Sequence, residues 1–249
     1  MPQLSAIVIT KNEAVNIGTC LDSLAFCDER IVVDCGSSDE TVAIARGKGA
    51  RVEFNEWRGF GPQKNFALSL ANGTWILSID ADERVSPELA AAIKDAIDRG
   101  SADAFEFPRL SSFCGRPIRH SGWYPDYVLR LFRRGKASFD DVIVHERVIY
   151  DGPVRRLGPP LIHHPVVKLE DALLRLDRYS TAKAQMLVAS GRKVWFLTGI
   201  SHGLVSFLRA YVWRAGFLDG AEGFLLAVFT AETSYYPYMK AWLTTRRRK

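Results

Sequence analysis

The sequence predicts an α/β fold, a Rossmann-like and mostly parallel sheet flanked by helices. Short aliphatic runs alternate with helical patterns through residues 5–100. These runs lack a regular polar alternation, which is typical of parallel strands buried on both faces. Because strand and helix alternate, the strands are expected to be joined by right-handed crossovers. The predicted strands are Ser5–Thr10, Arg30–Asp34, Arg51–Phe54 and Thr74–Ile79.

Four helices are predicted between these strands and just after them, from apolar spacing and cap residues. The first opens at residues 11–13, and the second has Ser37 or Ser38 as its N-cap. The third covers Gln63–Asn72. The fourth has Ser86 as its N-cap and proline at its first helical position, and it ends at Gly100.

The second half of the chain has a different pattern. Residues 127–134 and 142–150 are predicted to be strands or a hairpin, and from Leu169 onward the spacing is helical. Residues 194–242 are rich in aromatic and aliphatic side chains with scattered cations, which favours an interfacial or re-entrant helical hairpin at a membrane. A packed helical pair or a homo-oligomer contact explains the same pattern. The predicted domains are residues 1–165 and 166–249.

Composition narrows the functional classes. The chain has 249 residues, a net charge of +5 and a pI of about 9.1, which favours an anionic partner. Its basic residues are dispersed apart from the last four, so nucleic-acid binding is not expected. No signal peptide or spanning segment is predicted. Four cysteines without metal-ligand spacing indicate reduced thiols in a cytoplasmic protein.

Polar clusters follow three of the predicted strands and open the helix before the fourth. They are residues 10–13, 34–39, 63–65 and 80–82, the last being Asp-Ala-Asp. Open parallel sheets bind ligands at the carboxyl ends of their strands, and paired carboxylates suit Mg²⁺ or Mn²⁺. The sequence therefore predicts a nucleotide and metal site. Neither a dinucleotide-binding glycine motif nor a P-loop is present.

The motifs VITKNE (8–13), VVDCGSSDET (32–41), PQKN (62–65) and SIDADE (78–83) resemble the family 2 glycosyltransferases of the GT-A fold. Further motifs resemble one subgroup, the bacterial lipopolysaccharide-core β-1,4-glucosyltransferases that use UDP-glucose. They are HSGWYPD (120–126), RLFRR (130–134), VHERV (144–148), LIHHP (161–165) and GFLDG (216–220).

The resemblance implies roles for residues on the donor side. Thr10 and Glu13 would line the nucleoside pocket and Asp34 would bind uracil, with Asp39 and Lys64 nearby. Asp80 and Asp82 would hold Mg²⁺ or Mn²⁺ and the diphosphate–ribose of a UDP-sugar. His163 or His164 is a candidate to complete the metal shell.

On the acceptor side, an inverting transfer needs a base for the acceptor hydroxyl. Glu146 is the first candidate, although many members of the family have Glu-Asp where this chain has His145-Glu146. Asp126 is the second candidate, and Trp123 and Tyr124 are candidates to stack on a sugar.

These observations predict a metal-dependent, inverting transferase that moves a hexose, glucose first among them, from a UDP-sugar to a lipid-linked saccharide. The protein would be cytoplasmic and peripheral on the inner face of the bacterial cytoplasmic membrane. A nucleotidyltransferase, which would release pyrophosphate, and a non-catalytic membrane-associated module are the alternatives.

Overall fold

The computed structural model describes residues 3–140, 147–166, 168–191 and 193–247. The chain forms two compact units. The first comprises Met1–Arg109 and Asp126–His163, and the second comprises Leu110–Pro125 and His164–Lys249. The second unit thus includes a segment that precedes the predicted boundary at residue 165. The reason is packing, because Phe113 and Ile118 form an apolar cluster with Ala172 and Leu226.

The first four strands of the chain match the predicted strands within two residues. The strands of the described residues follow in chain order. They are β1 (Leu4–Thr10), β2 (Glu29–Asp34), β3 (Arg51–Phe54), β4 (Trp75–Asp80), β5 (Glu83–Val85), β6 (Ala104–Phe113), β7 (Arg116–Pro117), β8 (Asp126–Arg133), β9 (Ala137–Phe139), β10 (Val148–Tyr150), β11 (Val154–Arg156) and β12 (Leu161–Val166).

The main sheet is mixed, with strand order β3-β2-β1-β4-β8-β6-β12-β5. The four strands at one end are parallel, so their carboxyl ends meet at one edge. Strand β8 is antiparallel to both β4 and β6. In register, Thr10 lies opposite Asp34, and Asp80 lies opposite Ile9. The predicted convergence of the polar clusters at this edge follows directly from that topology.

Helices of the first unit are α1 (Ile17–Ser23), α2 (Thr41–Gly47), α3 (Phe60–Leu70) and α4 (Pro87–Arg99). They cover both faces of the sheet. Ala6 and Val8 of β1 belong to one apolar cluster with α1, whereas Ile7 belongs to a second cluster with Ala67 of α3. Burial on both faces explains why the strands contain consecutive apolar residues.

The caps of α4 are as predicted. Ser86 Oγ accepts a hydrogen bond from the Leu89 N–H, and Gly100 ends the helix in the left-handed conformation with φ of 59°. The prediction that Ser37 or Ser38 is the N-cap of α2 is wrong, since Glu40 occupies that position. The first helix begins at Ile17, later than predicted, because residues 11–16 form a turn in which Asn12 has φ of 55°.

The described residues of the second unit form three long helices and two short helical turns. They are α5 (Leu169–Ala189), α6 (Phe196–Leu208), a π-turn (Arg209–Trp213), a 3₁₀ turn (Gly216–Asp219) and α7 (Gly220–Arg247). Helix α7 packs against α5 and α6. A Cβ at Gly203 would lie 3.2 Å from Tyr235 Cβ, so glycine permits the close approach of α6 to α7. Among the described residues, no helix combines the length and apolar character that crossing a bilayer requires.

Candidate active site

A cavity of about 410 Å³ lies in the first unit at the carboxyl edge of the parallel strands. The ends of β1, β2 and β4 contribute to it, together with the loop after β3 and one residue of β12. Its lining includes both aspartates of the Asp-Ala-Asp motif. The lining residues are Ile9, Thr10, Lys11, Glu13, Cys35, Trp57, Phe60, Asp80, Ala81, Asp82 and His163.

Thr10 and Glu13, both predicted to line a nucleoside pocket, do line this cavity. The Oγ1 atom of Thr10 is buried and has no hydrogen-bond partner among the residues that the structure describes. Because a buried hydroxyl without a partner is costly, this atom is available to a polar ligand atom. The Glu13 carboxylate accepts a hydrogen bond of 2.7 Å from Asn16 Nδ2, which orients it at the start of α1.

Asp34 is buried, but its carboxylate is used within the turn after β2. One oxygen accepts hydrogen bonds of 2.9 Å from the N–H groups of Gly36 and Ser37, and the other accepts one from Ser37 Oγ. Its side chain is not part of the cavity lining, whereas the next residue, Cys35, is. Asp34 therefore shapes the turn that brings Cys35 to the cavity.

Asp39 joins two loops at the same edge. Its carboxylate accepts hydrogen bonds from the N–H of Ala14 and from the N–H and hydroxyl of Thr41. The hydrogen bond from the Thr41 hydroxyl is the main reason that the pKa of Asp39 lies below its ordinary value. The side chain does not line the cavity. Asp39 thus fixes the turn after β1 against the start of α2.

Asp80 is held by two buried cations. Lys64 Nζ of α3 lies 2.8 Å from Asp80 Oδ1, and Arg130 Nη2 of β8 pairs with Asp80 Oδ2. Lys64 is only 2% exposed. Burial acts to raise the pKa of Asp80, but Arg130 and Lys64 outweigh it and hold this pKa far below its ordinary range. Both carboxylate oxygens of Asp80 are thus engaged by cations, and Lys64 lies under the cavity rather than in its lining.

Asp82 and His163 face the cavity together. His163 Nε2 lies 3.4 Å from Asp82 Oδ2, and the two are brought together because β12 pairs with β5 in register His163–Glu83. Burial acts to raise the pKa of Asp82, but the hydrogen bond and charge of His163 hold it below its ordinary value. His164 points elsewhere, since its Nδ1 lies 3.0 Å from Ser112 Oγ in the second unit.

The donor atoms at this position fit a hard divalent cation that is also bound by substrate. Within the described part of the chain, no cluster of three His, Cys, Asp or Glu residues is close enough to hold a metal alone. Asp82 supplies a carboxylate and His163 an imidazole nitrogen, both on the cavity wall. Mg²⁺ commonly takes one or two protein carboxylates and completes its shell with water and phosphate oxygens. Asp80, whose oxygens are engaged by cations, fits this role less well than Asp82.

Two aromatic residues at the cavity were not among the predicted site residues. Trp57 and Phe60 contact edge to face, with ring centroids 4.8 Å apart, and both keep about two-fifths of their surface exposed. The sequence pattern predicted only that they belong to a loop before α3. The paired glycines at 59 and 61 were the signal that the backbone turns sharply here, since Gly59 has φ of 117°.

The structure describes only one of the two candidate bases. Glu146 lies outside the described residues. Asp126 is at the start of β8, where its carboxylate accepts hydrogen bonds of 3.0 and 2.6 Å from Nε and Nη2 of Arg109. Trp123 and Tyr124 belong to the second unit, where Trp123 packs edge to face on Phe113.

Comparison with known proteins connects this site to an enzyme family. Residues 5–158 match Glycosyl transferase family 2. The chain belongs to this family. As a family 2 glycosyltransferase it is an enzyme that transfers a sugar, and the nucleotidyltransferase and non-catalytic alternatives are set aside.

This family 2 glycosyltransferase has relatives along almost its whole length. It is 34% identical to the lipopolysaccharide core biosynthesis glycosyltransferase LpsC of Rhizobium meliloti, over 93% of this chain and 92% of that protein. It is 32% identical to an uncharacterized glycosyltransferase of Rickettsia felis, over 90% and 84% of the two chains.

Solved structures resemble the transferase as well. Staphylococcus aureus TarS has a TM-score of 0.50 at 19% identity, over 88% of this chain and 46% of that one. Glucosyl-3-phosphoglycerate synthase from Mycobacterium tuberculosis, in complex with Mn²⁺, UDP and its product, has a TM-score of 0.38 at 25% identity, over 46% and 45%. The chain therefore spans under half the length of both. The GT-A fold expected from the sequence is confirmed.

Proposed function

We propose that this glycosyltransferase moves a hexose, with glucose as the first candidate, from a UDP-sugar to a lipopolysaccharide-core or other lipid-linked saccharide, with inversion at the anomeric carbon. The observation that carries the proposal is the single cavity onto which Thr10, Glu13, Asp82 and His163 converge. The likeness to LpsC over 93% of the chain supports the acceptor class.

The donor would lie along the carboxyl edge of the sheet. The nucleoside would occupy the end formed by β1 and β2, where Thr10 Oγ1 is available and Cys35 and Glu13 form the walls. The diphosphate would lie toward β4, at Asp82 and His163. The strand order supports this direction, since β2, β1 and β4 are adjacent and neighbouring strands are about 4.8 Å apart.

Asp82 and His163 are the residues that would hold Mg²⁺ or Mn²⁺. When bound, such a cation supplies positive charge that stabilises the leaving diphosphate. Lys64 and Arg130 contribute fixed positive charge behind Asp80, which keeps that carboxylate ionised and oriented at the cavity. Both cations are buried and already ordered, so they need no reorganisation when the donor binds.

The base is proposed to be Glu146 or Asp126. Deprotonation of the acceptor hydroxyl must occur on the face of the sugar opposite the leaving diphosphate. An oriented carboxylate suits this step, and Asp126 is oriented by Arg109.

A lipid-linked acceptor calls for membrane contact, and the second unit has a surface that suits it. Large apolar side chains are exposed on α6 and on the turns that follow it, and we call this surface the apolar face. It comprises Trp195, Phe196, Leu197, Ile200, Leu204, Val205, Leu208, Val212, Trp213, Phe217 and Leu218. Exposed apolar surface on this scale marks an interaction site. Trp and Phe in the same stretch of the chain as Lys193, Arg209 and Arg214 suit an anionic bilayer surface. We propose that the enzyme binds the inner face of the cytoplasmic membrane peripherally in this way.

Vesicle flotation tests the membrane proposal. Leu197 is 71% exposed and Trp213 is 75% exposed, so replacing both by Glu perturbs no core. We expect wild type to float with vesicles containing anionic lipid and the double variant to remain in solution. Ile149→Glu, at an exposed apolar residue of the first unit, is the matched control. If the double variant instead converts a stable dimer to a monomer while vesicle binding is unchanged, the apolar face binds a second copy of the chain.

A donor screen tests the proposed function. Purified enzyme is incubated with UDP-glucose, UDP-galactose and other UDP-sugars with Mg²⁺ or Mn²⁺, and released UDP is measured. We expect release from at least one UDP-hexose, increased by isolated lipopolysaccharide-core acceptor. Release from no UDP-sugar, with transfer from another activated donor, would overturn the donor assignment.

A further inference from the structure

Six charged side chains of the first unit form a continuous series of ion pairs between the donor cavity and Asp126, one of the two candidate bases. Positive and negative groups alternate, and the six formal charges sum to zero. The series is Lys64, Asp80, Arg130, Glu83, Arg109 and Asp126.

Glu83 is the centre of this series and is fully buried. Its Oε1 lies 2.7 Å from Arg130 Nη2 and 3.5 Å from Arg109 Nη1, while its Oε2 accepts a 2.9 Å hydrogen bond from the Asp80 N–H. A buried carboxylate is costly unless it is paired and hydrogen-bonded, and here it is both. Glu83 does not line the cavity, so it can influence the reaction only through its neighbours.

The two ends of the series lie in different environments. Asp80 lines the donor cavity. At the other end, the Asp126 side chain is 45% exposed, and Arg109 lies opposite it in the β6–β8 register. Arg109 holds one Asp126 oxygen with two nitrogens and turns its third toward Glu83. The orientation of Asp126 therefore depends on Arg109, and that of Arg109 depends on Glu83.

We propose that Glu83 and Arg109 are positioning residues for glycosyl transfer. Glu83 fixes Asp80 through Arg130 on the donor side, and Arg109 fixes Asp126 as the acceptor-side carboxylate. At Asp126 the carboxylate takes the acceptor hydroxyl proton, the acceptor oxygen bonds to the anomeric carbon, and the electron pair of the broken bond leaves with the diphosphate. This inference rests on the proposed UDP-sugar transfer.

The test compares two reactions of UDP-glucose, hydrolysis by water and transfer to a lipopolysaccharide-core acceptor. We expect Arg109→Met to lower the transfer kcat by about 10²-fold, the effect of a misplaced catalytic group, while the KM for UDP-glucose in hydrolysis changes less than about threefold. Arg109→Lys keeps the charge and should recover part of the transfer rate. Glu83→Gln should slow both reactions, because it perturbs both ends. The matched control, Glu106→Gln, alters an ion pair of 2.7 Å with Arg156 between β6 and β11 and should change neither reaction.

A double-mutant cycle separates positioning from a structural role. If Arg109 acts through Asp126, Arg109→Met combined with Asp126→Asn should transfer no more slowly than Asp126→Asn alone. Multiplicative slowing in the double variant, or equal loss of hydrolysis and transfer in Arg109→Met, would overturn the inference. Arg109 is partly exposed, so its variants decide the matter even if Glu83→Gln fails to fold. Absence of UDP release by wild type would instead refute the proposed function, and the inference with it.

Discussion

Asp80→Asn should destabilise the protein strongly, because it removes the negative charge between two buried cations. At the 2.8 Å separation of Lys64 Nζ and Asp80 Oδ1, the Coulomb attraction is about 6 kcal/mol at an effective dielectric constant of about 20. Part of this attraction is offset by the cost of burying Lys64 completely and Asp80, whose side chain is 30% exposed, in part. Removing one partner of a buried pair typically lowers the free energy of unfolding by about 3–5 kcal/mol, since the remaining cation stays buried.

Urea unfolding measures this loss. Trp75 of β4 is buried and reports on the sheet by its fluorescence. The matched control is Asp95→Asn, which breaks an exposed i,i+4 pair with Arg99 and should cost only about 0.3–0.5 kcal/mol. A loss below about 1 kcal/mol in Asp80→Asn would refute the reasoning, because Lys64 and Arg130 would then not depend on this carboxylate.

Three further predictions concern single residues. Thr10→Val should leave thermal stability unchanged or raised, because the buried hydroxyl has no partner in the described part of the chain, while isothermal titration should show weaker UDP binding. Ser86→Ala should lower the free energy of urea unfolding by about 1 kcal/mol by removing the α4 cap. Burial acts to raise the pKa of Glu29, but hydrogen bonds from Asn72 and Ser5 hold this pKa below its ordinary value. The stability that Glu29 contributes is therefore fully present above the ordinary pKa of a glutamate and is lost as the pH falls through the lower pKa of the folded state. The stability difference between wild type and Glu29→Gln should therefore shrink on acidification, and a constant difference would contradict this.

The strands and the fourth helix could be predicted because their signals are local. Consecutive apolar residues specify a strand covered on both faces, and Ser86, Pro87 and Gly100 are cap residues that act within one turn. The starts of α1 and α2 could not be predicted in this way. Asn12 accepts a hydrogen bond from the Ser38 N–H, and its own N–H donates to Ser37 Oγ. These contacts join residues about 25 positions apart, so they do not appear as a pattern in either segment.

The candidate site was predicted in outline and revised in detail. The sequence places Thr10, Glu13 and Asp82 at one sheet edge, and the cavity contains all three. The carboxylates of Asp34 and Asp39 accept hydrogen bonds from backbone N–H groups of turns and are not part of the cavity lining, and the expected role of Asp34 in binding uracil stays a prediction. Sequence spacing alone does not distinguish a carboxylate that shapes a loop from one that faces a ligand.

The ion pairs of the buried charged residues could not be predicted from the sequence. Glu83 follows the Asp-Ala-Asp motif and looks like part of an acidic turn, but β5 carries it into the interior. Arg130 reaches it from β8, more than forty residues along the chain. Pairing between strands that are distant in sequence decides which carboxylate meets which cation, and periodicity does not reveal it.

Asp82 and His163 are proposed to hold the cation of a UDP-sugar site. The most direct test is UDP release from UDP-glucose with Mg²⁺ or Mn²⁺, comparing wild type with Asp82→Ala and with Asp22→Ala, an exposed aspartate paired with Lys48. We expect metal-dependent release by wild type and by Asp22→Ala, and release reduced at least about 10²-fold in Asp82→Ala. Unchanged turnover in Asp82→Ala would contradict the proposal.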